Sequence, residues 1–354
     1  MRRLVVLEAV GPPFVEALQR AWDVGDAVFP LDPRLPGPAR AVALEAARPE
    51  VPVEDGDALV VATSGTDGAP KAVVLTHGAV QASAEATSAR LGIDPASDRW
   101  LACLPLSHVG GLSVVTRALH TGTPLTVHDR FDAAAVEEAA AGAGCTRTSL
   151  VPTALARIDP SPWRTVLVGG QAAPPDRPAN VIATYGMTET GSGIAYDGVP
   201  LEGVEVRIAE DGEIQLRGPM LLRCYRDGTD PRTPDGWFPT DDLGELRDGV
   251  LHVRGRRGDL IISGGENVWP AAVERALREH PAVADVAVVG RPDAEWGQRV
   301  VAVVVPADAG SPPVLDDLRS HVQERLPAFA APRELRLVDE LPRTASGKVR
   351  RSDL

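Results

Sequence analysis

The stretch TSGTDGAPK at residues 63–71 lies between two apolar runs, ALVVA before it and AVVLT after it. Both runs have the length and β-branched composition of buried strands, so the pattern predicts a strand, a loop and a second strand. The two glycines would let the loop backbone approach an anion with its N–H groups exposed. Three hydroxyls add further donors, and Lys71 adds a compact positive charge. The stretch is therefore a candidate phosphate-binding loop.

Two simpler interpretations of this loop fit less well. A Walker loop would end in Gly-Lys-Ser/Thr and run into a helix, whereas a strand is predicted to follow Lys71. A polar surface turn would explain a Gly/Ser/Thr cluster by itself, but not the full order that ends in Pro70-Lys71. The lysines also stand apart, because only Lys71 and Lys348 among the 36 basic residues are lysine. Lys348 ends a second glycine-containing stretch, PRTASGK at 342–348.

The rest of the chain predicts an α/β protein of two domains. A stretch rich in proline and acidic residues at 12–56 is expected to hold one helix, near Phe14–Trp22. Strand-like and helix-like segments then alternate as far as residue 190, which predicts mostly parallel sheets covered by helices. Short strands joined by Asp-Gly turns follow and predict a small β-rich module. The predicted domains are 1–257, with a shortened N-terminus, and a smaller mobile α+β domain at 258–354.

Composition excludes several classes of function. The formal charge of −13 argues against non-specific binding to nucleic acid or to an anionic membrane surface. No apolar stretch approaches the roughly 20 residues that a membrane span requires, and no signal peptide is recognisable. The three cysteines form no CxxC pair, and the histidines show no metal-ligand spacing. We therefore expect a cytoplasmic protein without stable membrane insertion, and the sequence leaves a homodimer open.

In its order and its Pro-Lys ending, TSGTDGAPK resembles the signature loop of the adenylate-forming superfamily. This family comprises acyl- and aryl-CoA synthetases, luciferases and the adenylation domains of peptide synthetases. Asp67 is a mild departure, because threonine or a small polar residue is more usual there. Further stretches resemble the family's motifs and follow in its order: VGGQA (168–172), YGMTET (185–190), GWFPTDD (236–242), GRRGD (255–259), ISGGENVWP (262–270) and PRTASGK (342–348).

The resemblance implies an ATP site in the first domain. The residues of the loop that would hold the β- and γ-phosphates are Thr63, Ser64, Gly65, Thr66, Gly68 and Lys71. Gly170-Gln171 would lie beside the adenine. Tyr185 would stack its aromatic ring on the adenine, with Gly186 next to it. Thr188 would contact phosphate, and Glu189 would help to bind Mg²⁺, which prefers oxygen ligands. Taken alone, Glu189 would more simply be a solvated acid of a loop.

The later motifs imply a ribose site and a hinge. Asp242 would accept hydrogen bonds from the ribose hydroxyls, with Asp241 in place of the glycine that is usual beside it. Arg256 would lie near ribose and phosphate. Gly258 would occupy the hinge position, where aspartate, lysine or serine is common. Because glycine absorbs large changes of φ and ψ at little steric cost, this departure is compatible with a hinge.

The C-terminal domain would bring different groups to the site in two half-reactions. Lys348 would be the catalytic lysine, since an ammonium can bridge carboxylate and α-phosphate where a guanidinium fork does not fit. Gly264-Gly265 would then line the pantetheine tunnel of CoA. AMP is a good leaving group, so the second step needs no strong general base, and the sequence offers no obvious one. Without the other motifs, Lys348 would simply be a solvated tail residue.

The stretch LPLSHVGGL at 104–112 resembles the family's acyl-pocket segment, in which His108 and Gly111 would border the acid. A lone histidine after a strand is otherwise more often structural.

The short region before the signature loop, together with PLSHVGGLS and SGGENVWP, is similar to the actinobacterial type of o-succinylbenzoate–CoA ligase in menaquinone biosynthesis. A dicarboxylic acid of this kind would need a cationic partner for its second carboxylate, and Arg117 and Arg147 are both open candidates.

The expected activity is ATP-dependent activation of a carboxylic acid to an acyl-adenylate, followed by thioester formation with CoA. The implied cofactor is Mg²⁺, and the implied substrates are ATP, CoA and the acid. Another aryl- or acyl-CoA ligase remains an alternative, as does an adenylation enzyme that loads a carrier protein. The glycine-rich segment and the lack of a carrier domain favour free CoA. A non-catalytic nucleotide-binding relative would not require the Thr188-Glu189 pair or both lysines.

Overall fold

The computed structural model of the protein describes residues 2–63, 70–343 and 349–354. Two units are distinguished, one of Met1–Arg207, Gln215–Pro239 and Asp248–Leu251, the other of Ile208–Ile214, Thr240–Arg247 and His252–Leu354. The helices of the described residues are α1 (Gly11–Asp23), α2 (Gly37–Ala47), α3 (His77–Leu91), α4 (Val109–Thr121), α5 (Ala133–Ala141), α6 (Pro152–Leu155), α7 (Pro270–Arg278) and α8 (Leu315–Gln323).

The strands of the described residues are β1 (Leu4–Leu7), β2 (Ala27–Pro30), β3 (Asp57–Ala62), β4 (Ala72–Thr76), β5 (Trp100–Ala102), β6 (Leu125–Val127), β7 (Arg147–Leu150), β8 (Thr165–Val168), β9 (Val181–Gly186), β10 (Gly193–Tyr196), β11 (Val199–Pro200), β12 (Glu205–Ile208), β13 (Glu213–Arg217), β14 (Cys224–Tyr225), β15 (Phe238–Arg247), β16 (Val250–Arg256), β17 (Ile261–Ser263), β18 (Glu266–Val268), β19 (Val283–Asp293), β20 (Gly297–Pro306) and β21 (Glu334–Leu337). Short 3₁₀ turns are Thr188–Thr190, Arg257–Asp259, Ala328–Ala330 and Arg351–Asp353.

The first sheet has the order β1-β2-β3-β4-β14 and confirms the two strands predicted on either side of residues 63–71. Strands β1, β2 and β3 are parallel, whereas β4 runs antiparallel to β3 with Ala62 opposite Ala72. Helix α2 and strand β2 were not predicted in the proline-rich stretch at 12–56. Proline is a helix breaker in the interior but fits the first turn, and Pro38 lies there, ahead of the alanine-rich remainder of α2.

The second sheet has the order β11-β10-β9-β8-β7-β5-β6, and its five strands from β9 to β6 are parallel. The alternation of strands and helices therefore predicted this sheet correctly. Parallel strands place their carboxyl ends at one edge, where ligands bind in open α/β sheets. At this edge β8 ends before Gly169-Gly170, and β9 ends in Tyr185-Gly186.

A third sheet, of order β12-β13-β15-β16, confirms the predicted β-rich module. Its β15–β16 hairpin turns at Asp248-Gly249, which have φ values of 50° and 78°. Tight hairpin turns of type I′ require positive φ at both central residues, and Asp-Gly suits this requirement.

The last sheet belongs to the second unit and has the order β18-β17-β20-β19, with β21 parallel to β20. Strands β19 and β20 form a long antiparallel pair on which α7 and α8 pack. This core includes four fully buried side chains: Val273 and Leu277 of α7, Val288 of β19 and Leu318 of α8. Among the described residues, no helix combines the length and the apolar character needed to cross a membrane.

Candidate functional site

The candidate phosphate loop starts and ends on paired strands. Thr63 donates its N–H to the carbonyl of Lys71 at 2.7 Å. Lys71 returns a bond from its own N–H to Thr63 Oγ1 at 3.1 Å. Ser64, Gly65, Thr66 and Gly68 lie outside the described residues. The base of the loop is thus closed by two hydrogen bonds between Thr63 and Lys71.

Lys71 and Glu189, which are far apart in sequence, both contact Tyr225. The Nζ of Lys71 lies 5.0 Å from the centroid of the Tyr225 ring, within the range of a cation–π contact. The hydroxyl of Tyr225 donates to Glu189 Oε1 at 3.0 Å. Tyr225 reaches this position because β14 pairs with β4, with Tyr225 opposite Val73. The sequence analysis missed Tyr225, whose strand has only two residues and carries no hydrophobic period.

Glu189 lies in the short turn Thr188–Thr190, which is held by its own polar groups. Thr190 Oγ1 accepts from the N–H of Met187 at 3.0 Å and donates to the carbonyl of Ser192 at 2.6 Å. Glu189 is half-buried and its backbone carbonyl accepts from Leu222 at 2.8 Å. The main chain of the turn is therefore fixed, which gives the carboxylate a defined position.

A magnesium ion fits this donor set only with help from a ligand. The described residues hold no group of three or more His, Cys, Asp or Glu that could bind a metal ion by themselves. Mg²⁺ usually binds through one or two carboxylates together with water and substrate phosphates. One carboxylate at Glu189, connected to Lys71 through Tyr225, is the kind of site at which a nucleotide brings most of the oxygen ligands.

Glycines at the ends of β8 and β9 allow close packing at the predicted adenine site. A Cβ on Gly186 would lie 2.2 Å from the carbonyl oxygen of Ser192, so only glycine fits there. Gly170 has φ +81°, a conformation that favours glycine. Thr184 Oγ1 donates to the carbonyl of Val168 at 3.2 Å and joins the two strand ends. Tyr185 is half-buried and Gln171 is exposed at the same edge of the sheet.

In the second unit, the two predicted ribose ligands form an ion pair. Arg256 Nε lies 3.3 Å from Asp242 Oδ1, and the side chain of Asp242 is 10% exposed. Asp241 has φ +62°, which accounts for the glycine that is usual at this position. Its carboxylate is 59% exposed and lies 3.5 Å from Arg257 Nε. Asp241 therefore adopts the turn that glycine would adopt, at a cost in backbone strain that aspartate bears better than most residues.

The predicted acyl-pocket segment leads into helix α4. The carbonyl of His108, the residue before the helix, accepts from Gly111 at 3.1 Å and Leu112 at 2.9 Å. A Cβ on Gly111 would lie 2.4 Å from the carbonyl oxygen of Leu104, so this glycine is required by packing. The same helix carries Arg117 one to two turns further on.

The two candidate arginines for a second carboxylate differ sharply in their surroundings. Arg147 donates to both carboxylate oxygens of Asp98, at 3.0 and 3.2 Å, and to Thr165. Arg117 is 2% exposed, and its guanidinium carbon lies 4.8 Å from the centroid of the Trp100 ring. It donates to Ser192 Oγ at 3.1 Å, but its Nε and Nη1 have no hydrogen-bond partner among the described residues.

A small cavity lies beside Arg117 and admits about one water molecule. Its lining combines apolar residues, among them Leu59, Leu75 and Leu112, with the hydroxyl-bearing residues Ser83, Ser113 and Thr116. Burial lowers the pKa of Arg117. Buried charges are costly unless they are paired, and two guanidinium nitrogens of Arg117 have no partner among the described residues, so Arg117 is a candidate for binding an anion.

The predicted hinge and tunnel glycines of the second unit differ in whether a Cβ would fit at their positions. A Cβ on Gly258 would meet nothing within 4 Å, so its glycine is not required by packing. Gly264 has φ +61°, and a Cβ there would lie 2.8 Å from the ring of Trp296. Gly265 has φ +83° and is open. Lys348 lies outside the described residues.

Two known family profiles match the chain. That of the AMP-binding enzyme matches residues 47–226, and that of the AMP-binding enzyme C-terminal domain matches residues 272–348. The chain belongs to the family of AMP-binding, adenylate-forming enzymes. The predicted family and fold class are thus confirmed.

Comparison with individual proteins gives more detail than the family profiles. The chain is 44% identical over 329 residues to a probable 2-succinylbenzoate–CoA ligase of Mycobacterium tuberculosis, with 85% of each chain covered. It is also similar to o-succinylbenzoate coenzyme A synthetase from Bacillus subtilis, solved in complex with its acyl-adenylate intermediate. That structure has a TM-score of 0.88 at 30% identity and covers 99% of this chain and 88% of its own. The same enzyme in complex with ATP and magnesium ion also gives a TM-score of 0.88 at 30% identity, covering 100% and 90%.

Proposed function

We propose that this chain converts o-succinylbenzoate to o-succinylbenzoyl-CoA by way of an acyl-adenylate, as a step of menaquinone biosynthesis. The proposal rests on likeness to ligases for this acid over most of the chain's length. The observation within the molecule that favours this acid is Arg117, a buried cation on the helix that follows the acyl-pocket segment; two of its guanidinium nitrogens have no hydrogen-bond partner in the described part of the chain. A dicarboxylic acid supplies the anion that such a group lacks.

Activation requires a carboxylate to attack the α-phosphate of a nucleotide that is itself an anion. A chain with a formal charge of −13 must therefore place positive charge locally. Lys71 and the N–H groups of the phosphate loop are assigned to the β- and γ-phosphates, and Thr188 to a phosphate oxygen. Mg²⁺, when bound with ATP, neutralises charge on the phosphates. Glu189 is its protein ligand, oriented by the Tyr225 hydroxyl.

The remaining nucleotide contacts follow the same assignment. Tyr185 stacks on the adenine next to Gly170-Gln171. Asp242 accepts from the ribose hydroxyls and is held by Arg256.

The C-terminal domain, assigned to residues 258–354, is proposed to move about Gly258. Glycine at this position has free space around it and can absorb a large change of φ and ψ. In one orientation Lys348 would bridge the carboxylate and the α-phosphate. In the other, Gly264-Gly265 would line the passage for the thiol arm of CoA. The substrates are small molecules, and we place the reaction in the cytoplasm.

The identity of the acid is tested by measuring pyrophosphate release with a panel of carboxylic acids, with and without CoA. We expect o-succinylbenzoate to give the highest kcat/KM and to yield a CoA thioester. Turnover of other aromatic acids but not of this one would refute the assigned substrate and leave the chemistry intact. Pyrophosphate release without thioester formation would instead favour loading of a carrier protein.

Tyr225→Phe tests the metal assignment. The variant removes the hydroxyl that donates to Glu189, and hydrogen bonds to charged groups contribute about 1.5–3 kcal/mol. We expect KM for MgATP to rise about 10-fold, with a shift to higher Mg²⁺ in a titration of pyrophosphate release. Tyr196→Phe is the matched control, since its hydroxyl pairs with Thr87 Oγ1 at 3.1 Å instead. An unchanged Mg²⁺ dependence in Tyr225→Phe would contradict the assignment of Glu189.

A further inference from the structure

The chain enters and leaves the stretch 344–348 at fixed points. Arg343 and Val349 form an isolated antiparallel bridge. Just outside it, the N–H of Arg350 donates to the carbonyl of Pro342 at 2.8 Å. Leu341 belongs to a buried cluster with residues of β19 and β20, and Val349 packs against it. The described residues thus form a closed base for the loop that carries Lys348.

Each side of this base is also held by an arginine. Arg343 pairs with Asp285 of β19. Arg351 donates from Nη2 to Glu274 of α7 at 2.7 Å and from Nη1 to Asp259 at 3.3 Å. The planar guanidinium suits this task, because its fork can contact two acids in fixed directions at once.

Glu274 is a rigid anchor. Its side chain is 7% exposed, and Oε1 also accepts from the N–H of Val288 at 2.9 Å. The arginine that it binds is 30% exposed. A partly buried ion pair between groups that cannot move freely is a stronger restraint than a surface pair, which contributes little.

The second acid connects the base to the hinge segment. Asp259 is the last residue of the turn Arg257–Asp259 and directly follows Gly258. Arg351 is three residues beyond Lys348 in the sequence. One side chain therefore joins the turn Arg351–Asp353, which follows Lys348 in the sequence, to helix α7 and to the segment next to the hinge.

We propose that Arg351 is a positioning residue for Lys348, tying its loop to Glu274 and to the hinge-side residue Asp259. The inference rests on the proposed function, in which Lys348 acts in adenylate formation. Reaction rates are sensitive to small misplacements, and an error of about 1 Å can cost about 10²-fold. Loosening the base of the loop should thus slow the step that uses Lys348. It should spare the step that uses Gly264-Gly265.

The test compares Arg351→Met with Arg350→Met, the neighbouring arginine. Arg350 is 54% exposed, and its charge partner in the described part of the chain is Asp353 at 3.7 Å. Both variants remove one positive charge next to the same loop. In Arg351→Met we expect kcat for pyrophosphate release to fall about 10²-fold with little change in KM for ATP. Thioester formation from a supplied acyl-adenylate should stay near the wild-type rate, and Arg350→Met should match wild type in both assays.

The variant Arg351→Lys distinguishes a loss of positioning from a loss of folding. Lysine keeps the charge but can satisfy only one acid well, so activity between wild type and Arg351→Met is expected. Equal loss of both half-reactions in Arg351→Met and Arg351→Lys would overturn the proposal, because it would indicate a general structural role. Wild-type adenylation in Arg351→Met would overturn it as well.

A measurement independent of activity separates this proposal from the proposed function. Amide hydrogen exchange at position 350, whose N–H bonds to Pro342, should speed up in Arg351→Met, whereas in Arg350→Met it should change only by the intrinsic difference between the two residue types. If wild-type protein activates no acid, the proposed function fails, yet exchange still reports on the anchor. Unchanged exchange in Arg351→Met would overturn the anchoring role whatever the activity.

Discussion

Replacing Lys348 by alanine is expected to reduce adenylate formation at least about 10²–10³-fold, the usual effect of removing one group that stabilises transition-state charge. The second half-reaction, attack of CoA on a supplied acyl-adenylate, should proceed near the wild-type rate. The reason is the nature of the two steps. Activation joins two anions and needs a cation between them, whereas displacement of AMP by a thiol does not.

The measurement is single-turnover kinetics of each half-reaction for Lys348→Ala and for Lys348→Arg. Arginine keeps the charge but is larger, planar and less compact, so it should restore little. Lys71→Ala is the informative comparison, because it removes the chain's other lysine. Loss of the Lys71 side chain should raise KM for ATP in the first half-reaction. Equal loss of both half-reactions in Lys348→Ala would refute the division of labour between the lysine and the glycine-rich segment.

Much of this architecture could be predicted because the deciding signals are local. The strands that flank the phosphate loop are continuous apolar runs, and the Asp-Gly turns carry their own conformational preference. Helix α2 was missed because its one proline, Pro38, lies in the first turn, where proline is tolerated rather than disruptive. Asp241 was recognised as a departure from glycine, but only the structure gave the positive φ that explains it.

Contacts between distant segments could not be predicted from the sequence. Tyr225 lies in a turn-rich stretch and becomes important only because β14 pairs with β4 and brings it to Glu189 and Lys71. Arg117 and Arg147 are equally plausible in sequence. They are distinguished by Asp98, which lies 49 residues before Arg147 and is paired with it. Whether a buried arginine has a partner depends on tertiary structure alone.

Arg117→Met is expected to have effects of opposite sign on binding and on stability. Removing one partner of a buried, hydrogen-bonded charge pair typically costs about 2–5 kcal/mol, so kcat/KM for o-succinylbenzoate should fall about 10²–10³-fold. In the free protein the same change removes a buried charge, two of whose nitrogens lack a hydrogen-bond partner within residues 2–63, 70–343 and 349–354. Since the bond to Ser192 and the contact with Trp100 are lost as well, an apolar side chain of similar length should leave the free energy of unfolding close to the wild-type value or raise it, by at most about 4 kcal/mol.

The control is the variant Arg147→Met. Arg147 is the other arginine that the sequence leaves as a candidate for binding the second carboxylate. Its guanidinium is paired with Asp98, so its loss leaves a buried carboxylate short of partners and should lower the free energy of unfolding by up to about 3–5 kcal/mol. Arg164 also contacts Asp98 at 2.7 Å and should limit this loss. Chemical denaturation of both variants measures the two opposite shifts.

Selectivity decides whether Arg117 binds the second carboxylate or only supports the pocket. The two monocarboxylic analogues of o-succinylbenzoate each lack one carboxylate, and one of them keeps the group that is activated. Wild-type enzyme should prefer the dicarboxylic acid over that analogue, and Arg117→Met should lose most of this preference because the analogue never used the arginine. An equal fall in kcat/KM for both acids would show that Arg117 shapes the pocket without binding the second carboxylate. Loss of the preference with undiminished stability would identify the buried, unpaired guanidinium as the group that selects a dicarboxylic acid.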